Sequence, residues 1–123
     1  MKKTKQSVDG TSFHSHTFKS TPNQLISLLG SPSYEENDGE NKTNIEWHME
    51  LENGNVFTIY DWKYYCTLDM DSNVEWHIGG HSSLTTGKAL AELEIIMILH
   101  NENNWVEDDD DFKTWNEAPY GDK

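Results

Sequence analysis

The run IEWHMELENGNVFTIYDW (45–62) alternates apolar and polar residues on both sides of an Asn-Gly pair. Alternation at period two is the mark of a half-buried strand, and Asn-Gly between two such runs marks a hairpin. Strands are expected at 45–51 and 56–62. A two-residue turn at Asn53-Gly54 sets Leu51 against Val56, Met49 against Thr58, Trp47 against Tyr60 and Ile45 against Trp62. One face is then apolar and aromatic. The other carries Glu46, His48, Glu50, Phe57, Ile59 and Asp61, with Glu46 directly opposite Asp61. Like charges in opposed positions destabilise a sheet, so a lysine, a proton or a metal is expected to compensate. VEWHIGG (74–80) continues the pattern as a third strand, with Val74, Trp76 and Ile78 on one face and Glu75 and His77 on the other.

Working outward, SFHSHTF (12–18) alternates as a further strand. TPNQLISLLG (21–30) is a short helix, with Thr21 at the N-cap, Pro22 at the first helical position and Gly30 as its stop. A second helix is expected over 82–100, with Leu90, Leu93, Ile96, Met97 and His100 as its stripe. The fold class is α+β: a three- to four-stranded, mainly antiparallel sheet with two helices on one face. Ile45, Trp47, Tyr60, Trp62, Trp76, Leu25, Leu29, Leu93 and Met97 are expected to share the core. Residues 1–10 read as a loose arm and 31–43 as a polar loop. Residues 1–100 form the domain. Residues 101–123 read as an acidic-aromatic extension, its acids centred on Glu107–Asp111.

The 123 residues suit one domain. Nine lysines, no arginine and 22 acidic residues give a net charge of −13. Such a chain repels nucleic acid and suits basic protein partners. One cysteine, Cys66, rules out an intrachain disulfide and fits a reducing compartment. No apolar run is long enough to span a membrane, and the opening MKKTKQSVDG lacks an apolar centre, so a cytoplasmic location is expected.

Six histidines invite a metal reading. His14 and His16 fall two apart on one strand, and His77 and Asp61 fall on the carboxylate face. These four residues are the expected ligands of a structural zinc, with His81, Cys66 and His48 as substitutes. A metal there would also neutralise Glu46 and Asp61. Tyr60, Asp61, Lys63 and Trp76 are expected to line any small-molecule pocket, with Lys63 as its cation. No nucleophile–base pair or phosphate loop is legible, and no enzyme activity is expected.

FTIYDWK (57–63) and EWHIGGH (75–81), with KTNIEW (42–47) and LGSP (29–32), resemble a family of small, largely uncharacterised proteins of tailed phages and prophages. In size and charge the chain is similar to anti-CRISPR inhibitors. The resemblance implies an acidic inhibitor of a bacterial host defence system that binds an RNA-guided Cas nuclease and blocks nucleic-acid loading. The alternative is a protein that sequesters a small nucleotide-like immune signal.

Overall fold

A computed structural model describes residues 1–108, with side chains to residue 101. Its elements are β1 (Lys2–Lys3), β2 (Ser12–Ser20), α1 (Pro22–Leu29), β3 (Tyr34–Glu35), β4 (Ile45–Glu50), β5 (Val56–Tyr60), β6 (Val74–Gly80) and α2 (Ser83–Asp108). The fold is α+β, as expected from the sequence, but with six strands. They form one antiparallel sheet in the order β1-β4-β5-β6-β2, and β3 pairs with the same outer edge of β4. β1 and β3 fall where an arm and a loop were expected. Each is two residues long, too short to show a period in sequence.

The hairpin register departs from expectation by one residue. Glu50 pairs with Val56, Met49 with Phe57, Trp47 with Ile59 and Glu46 with Tyr60. Gly54 N–H donates to Leu51 O and Leu51 N–H to Asn55 O, each at 2.9 Å. In this turn Gly54 takes positive φ, at 89°, and Asn53 does not. This is a three-residue loop, a tight turn followed by a left-handed glycine, and not the two-residue turn that Asn-Gly suggests. A one-residue slip carries every side chain of the strand to the opposite face. Phe57, Ile59 and Asp61 therefore join Trp47 in the core. Tyr60 is half-buried on the other face and Trp62 is 40% exposed, so neither belongs to the core. Glu46 opposes Tyr60, and the expected Glu46–Asp61 repulsion does not arise.

Of the other expected core residues, Leu25, Ile45, Trp47, Trp76 and Leu93 are fully buried, and Leu29 and Met97 half-buried. Trp47 and Trp76 meet edge to face at 5.6 Å, a geometry that adds about 1 kcal/mol to their burial. Their indoles also hold α1 at both ends. Trp76 Nε1–H donates to Ser20 O, just before the helix, and Trp47 Nε1–H donates to Gly30 O, just after it, each at 2.9 Å. The two tryptophans stand on strands separated only by β5. Thr21 accepts from Gln24 N–H, and Gly30, at φ 85°, donates its N–H to Ile26 O. Both caps fall where the sequence places them.

The chain divides into two compact units, Met1–Glu92 and a second beginning at Leu93, so the boundary lies inside α2. Leu90, Ile96 and His100 are half-buried, whereas Ile95, Ile98 and Leu99 are exposed. From residue 109 onward, most of the acidic block and Phe112, Trp115 and Tyr120 lie outside the described residues. No helix among the described residues is long and apolar enough to cross a membrane.

Candidate functional site

The four expected zinc ligands occupy separate environments. Asp61 sits on the core face, fully buried. Its Oδ1 accepts from Asn44 N–H (2.8 Å) and Ile45 N–H (3.0 Å), and its Oδ2 accepts from Asn44 Nδ2 (2.9 Å). It anchors the start of β4. His77 stands on the opposite face of the sheet. His14 and His16 are parted by a bulge in β2, where Ser15 adopts φ 72°. His14 Nε2–H donates to Gly80 O at 3.2 Å. His16 lies 2.7 Å from the Thr86 hydroxyl. That hydroxyl already donates to Ser83 O, so His16 Nδ1 is the donor. Of the substitutes, His48 Nε2–H donates to Glu46 at 3.1 Å, and Cys66 is exposed. No three His, Cys, Asp or Glu side chains among the described residues converge as a metal would require. The expected donor set does not fit a closed tetrahedral zinc.

Two other surfaces are built with more care. The first is an edge made of two acidic loops, 36–44 and 61–73. Asn37 clasps Leu68, accepting its N–H at 2.6 Å and donating to its carbonyl at 3.0 Å. Asn44 reaches the Cys66 carbonyl at 3.2 Å and accepts from Gly39 N–H at 3.0 Å. A Cβ on Gly39, which takes φ 78°, would stand 2.7 Å from Cys66 Cα, so only glycine allows the loops to close this tightly. The clasped pair exposes Glu36, Asp38 and Glu40 from one loop and Asp69 and Asp71 from the other, with Glu35 of β3 beside them in sequence.

The second surface is a shallow groove of about 230 Å³ on the polar sheet face. It is lined by Thr43, Glu46, His48, Thr58, Tyr60, Trp62 and Gly79, together with Val8, Thr11 and Ser12 from the arm and the start of β2. The arm reaches that position because β1 pairs at the β4 edge and β2 at the β6 edge, so the link must cross a face. Thr4 and Gln6 tie it to Glu50, at 2.6 and 3.2 Å. A chain of four ring contacts begins at the groove with Trp62 and Tyr60 and leads away from it. Trp62 meets Tyr60 edge to face at 6.0 Å, Tyr60 tilts against His77 at 5.6 Å, and His77 stacks on Phe13 at 4.5 Å. Burial, with a smaller contribution from the Glu46 charge, pushes the Tyr60 hydroxyl above its ordinary value and keeps it neutral. Burial pulls His77 below the ordinary histidine value, against the opposing charges of Glu75 and Asp61.

Lys42 and Lys63 place their ammonium groups 5.9 and 5.5 Å from the Trp62 ring. Lys63 N–H donates to Lys42 O at 2.7 Å, which pins the two residues together. Lys63 and Tyr65 adopt φ 57° and 52°. Left-handed backbone outside glycine costs about 1–2 kcal/mol per residue, and strain of this kind gathers at functional sites.

Of the expected pocket residues, Tyr60 and Lys63 are at this groove, while Asp61 and Trp76 are buried on the core side. Lys42 was not foreseen. Its signal was present: residues just before β4 and just after β5 meet at the open end of the hairpin, whichever turn joins the strands. No family model, curated protein or solved structure matches the chain.

Proposed function

We propose that the protein is a phage-encoded, non-enzymatic inhibitor that binds a bacterial defence nuclease of the RNA-guided Cas type and blocks its nucleic-acid channel. The observation that supports this reading is the clasped acidic edge. Five carboxylates, Glu36, Asp38, Glu40, Asp69 and Asp71, stand exposed on two loops held together through Asn37, Asn44 and Gly39. Fixed negative charges complement a channel built to hold a phosphate backbone, and pre-ordering them lowers the entropy lost on docking. An excess of 13 negative charges steers the encounter and makes it sensitive to salt.

The test is inhibition of target cleavage by purified Cas nucleases, with the protein added before or after guide loading. The reading expects inhibition when the protein is added first. A variant carrying E36Q, D38N, E40Q, D69N and D71N should inhibit at least about tenfold less well and show a flatter salt dependence. Equal inhibition by this variant at low salt would remove charge as the recognition device, and failure of the parent to bind any nuclease of the class would end the proposal.

A further inference from the structure

We propose that the groove beside Trp62 is a binding site for a nucleoside monophosphate, its two lysines borne by the same loops, 36–44 and 61–73, that carry the acidic edge. Three features of different kinds meet there. The first is ring surface: Trp62 is 40% exposed, and Tyr60 stands against it edge to face. A planar heterocycle stacks on such a platform whatever its identity, because every base offers a π-face. The second is a local reversal of charge. In a chain with 22 acidic residues and nine lysines, two lysines converge on this one ring, fixed by the Lys63–Lys42 backbone bond. A phosphate is the ligand group that such a pair receives.

The third is the sugar-sized polar recess beside the rings. Glu46 is held by Thr43 Oγ1 at 2.7 Å and by His48 Nε2 at 3.1 Å, one bond to each carboxylate oxygen. Each oxygen keeps a lone pair for a further donor, the arrangement that receives the hydroxyls of a ribose. Gly79 keeps the groove open, since a Cβ there would lie 2.6 Å from Thr58 Oγ1 and 3.4 Å from the Tyr60 ring. At about 230 Å³ the whole groove, ring platform and polar recess together, is smaller than the roughly 300–1,000 Å³ of pockets that enclose drug-sized ligands. It suits one nucleoside, with the phosphate outside it over the Trp62 lysines. A sugar alone would leave the lysines unused, and a simple anion would leave the rings and Glu46 unused.

The experiment titrates the full chain with AMP, GMP, CMP and UMP by calorimetry, with adenosine and inorganic phosphate as separate arms. At least one nucleotide should bind with a Kd below about 1 mM, and phosphate alone should not compete. W62A should weaken nucleotide and nucleoside alike by roughly tenfold or more. The double variant K42Q/K63Q should weaken the nucleotide by roughly tenfold and leave adenosine unchanged. All three side chains are exposed, and unchanged melting of each variant confirms that the fold is intact. The inference is overturned by no saturable binding of any nucleotide up to about 10 mM. It is equally overturned by variants that bind as the parent does, or by phosphate competing as well as the nucleotide.

Discussion

Replacing Asp61 by Asn changes one atom of a fully buried side chain and tests how the sheet is anchored. Asp61 accepts two backbone N–H bonds from Asn44 and Ile45 and one from Asn44 Nδ2. In the variant the carbonyl oxygen keeps the two backbone donors, and the new amide then faces Asn44 Nδ2, donor against donor. Asn44 cannot turn over to relieve this, because its Oδ1 holds Gly39 N–H and its Nδ2 holds the Cys66 carbonyl. Losing hydrogen bonds to a charged group costs about 1.5–3 kcal/mol, and a buried unpaired donor costs about 1–3 kcal/mol more. Removing a buried charge offsets part of this. The net expectation is about 2–3 kcal/mol. At about 4–8 °C per kcal/mol for a domain this size, the melting temperature should fall by about 10–20 °C. Thermal unfolding followed by near-UV circular dichroism reads it, with E46Q on the opposite face as a control that moves little. A D61N variant melting within about 2 °C of the parent would refute the anchoring role. So would a chelator that lowers the melting temperature of the parent and not of the variant, because the carboxylate would then be holding a metal.

Gly39→Ala should both strain the backbone and drive a Cβ into Cys66, costing about 2 kcal/mol or more and raising amide exchange at Leu68, which Asn37 otherwise protects. Thr21→Ala removes the N-cap of α1 and should cost about 1 kcal/mol in urea unfolding, whereas Thr21→Ser should cost little. In an NMR titration, the His77 ring protons should show a midpoint below about 6.5. Because folding lowers this value, the unfolded chain binds the proton more tightly. The His77 contribution to stability is present above the unfolded value and is lost as pH falls through it toward the folded one. A midpoint above about 6.5 would contradict the burial assigned to the ring.

Much of this fold was legible from local chemistry. The caps of α1 are encoded by Thr21, Pro22 and Gly30, and the inward face of β6 by Val74, Trp76 and Ile78; both stand as expected. The hairpin was legible in place but not in register, because Asn-Gly serves a two-residue turn and Glu52-Asn53-Gly54 serves a three-residue one with equal ease. The deciding clue was the conflict itself. The two-residue turn sets Glu46 against Asp61, and that repulsion signalled the wrong pairing rather than a metal. With the register moved by one, Glu46 faces Tyr60 and Asp61 finds Asn44, and no counter-ion is needed. The groove was harder to foresee. It depends on the arm crossing the polar face and on Lys42 meeting Lys63 through the backbone, both of which are long-range consequences of strand order.

The strand order also sets a timetable for synthesis. β2 is the first long strand to be made, yet among the described residues it pairs with β6, the last of the described strands. Its paired residues, from Ser20↔Val74 to Ser12↔Gly80, are 54 to 68 positions apart. At about 5–20 residues per second, β2 waits roughly 3–14 seconds for its neighbour to be made. An apolar strand left in water for that time invites aggregation. SFHSHTFKS avoids the danger by composition: it carries two phenylalanines among seven polar residues, with a lysine near one end and a bulge in its middle. The β4–β5 hairpin closes over a three-residue loop and has no such wait. The most apolar strands of the sheet are thus the ones that pair soonest after leaving the ribosome, and the strand that waits longest is the one best suited to water.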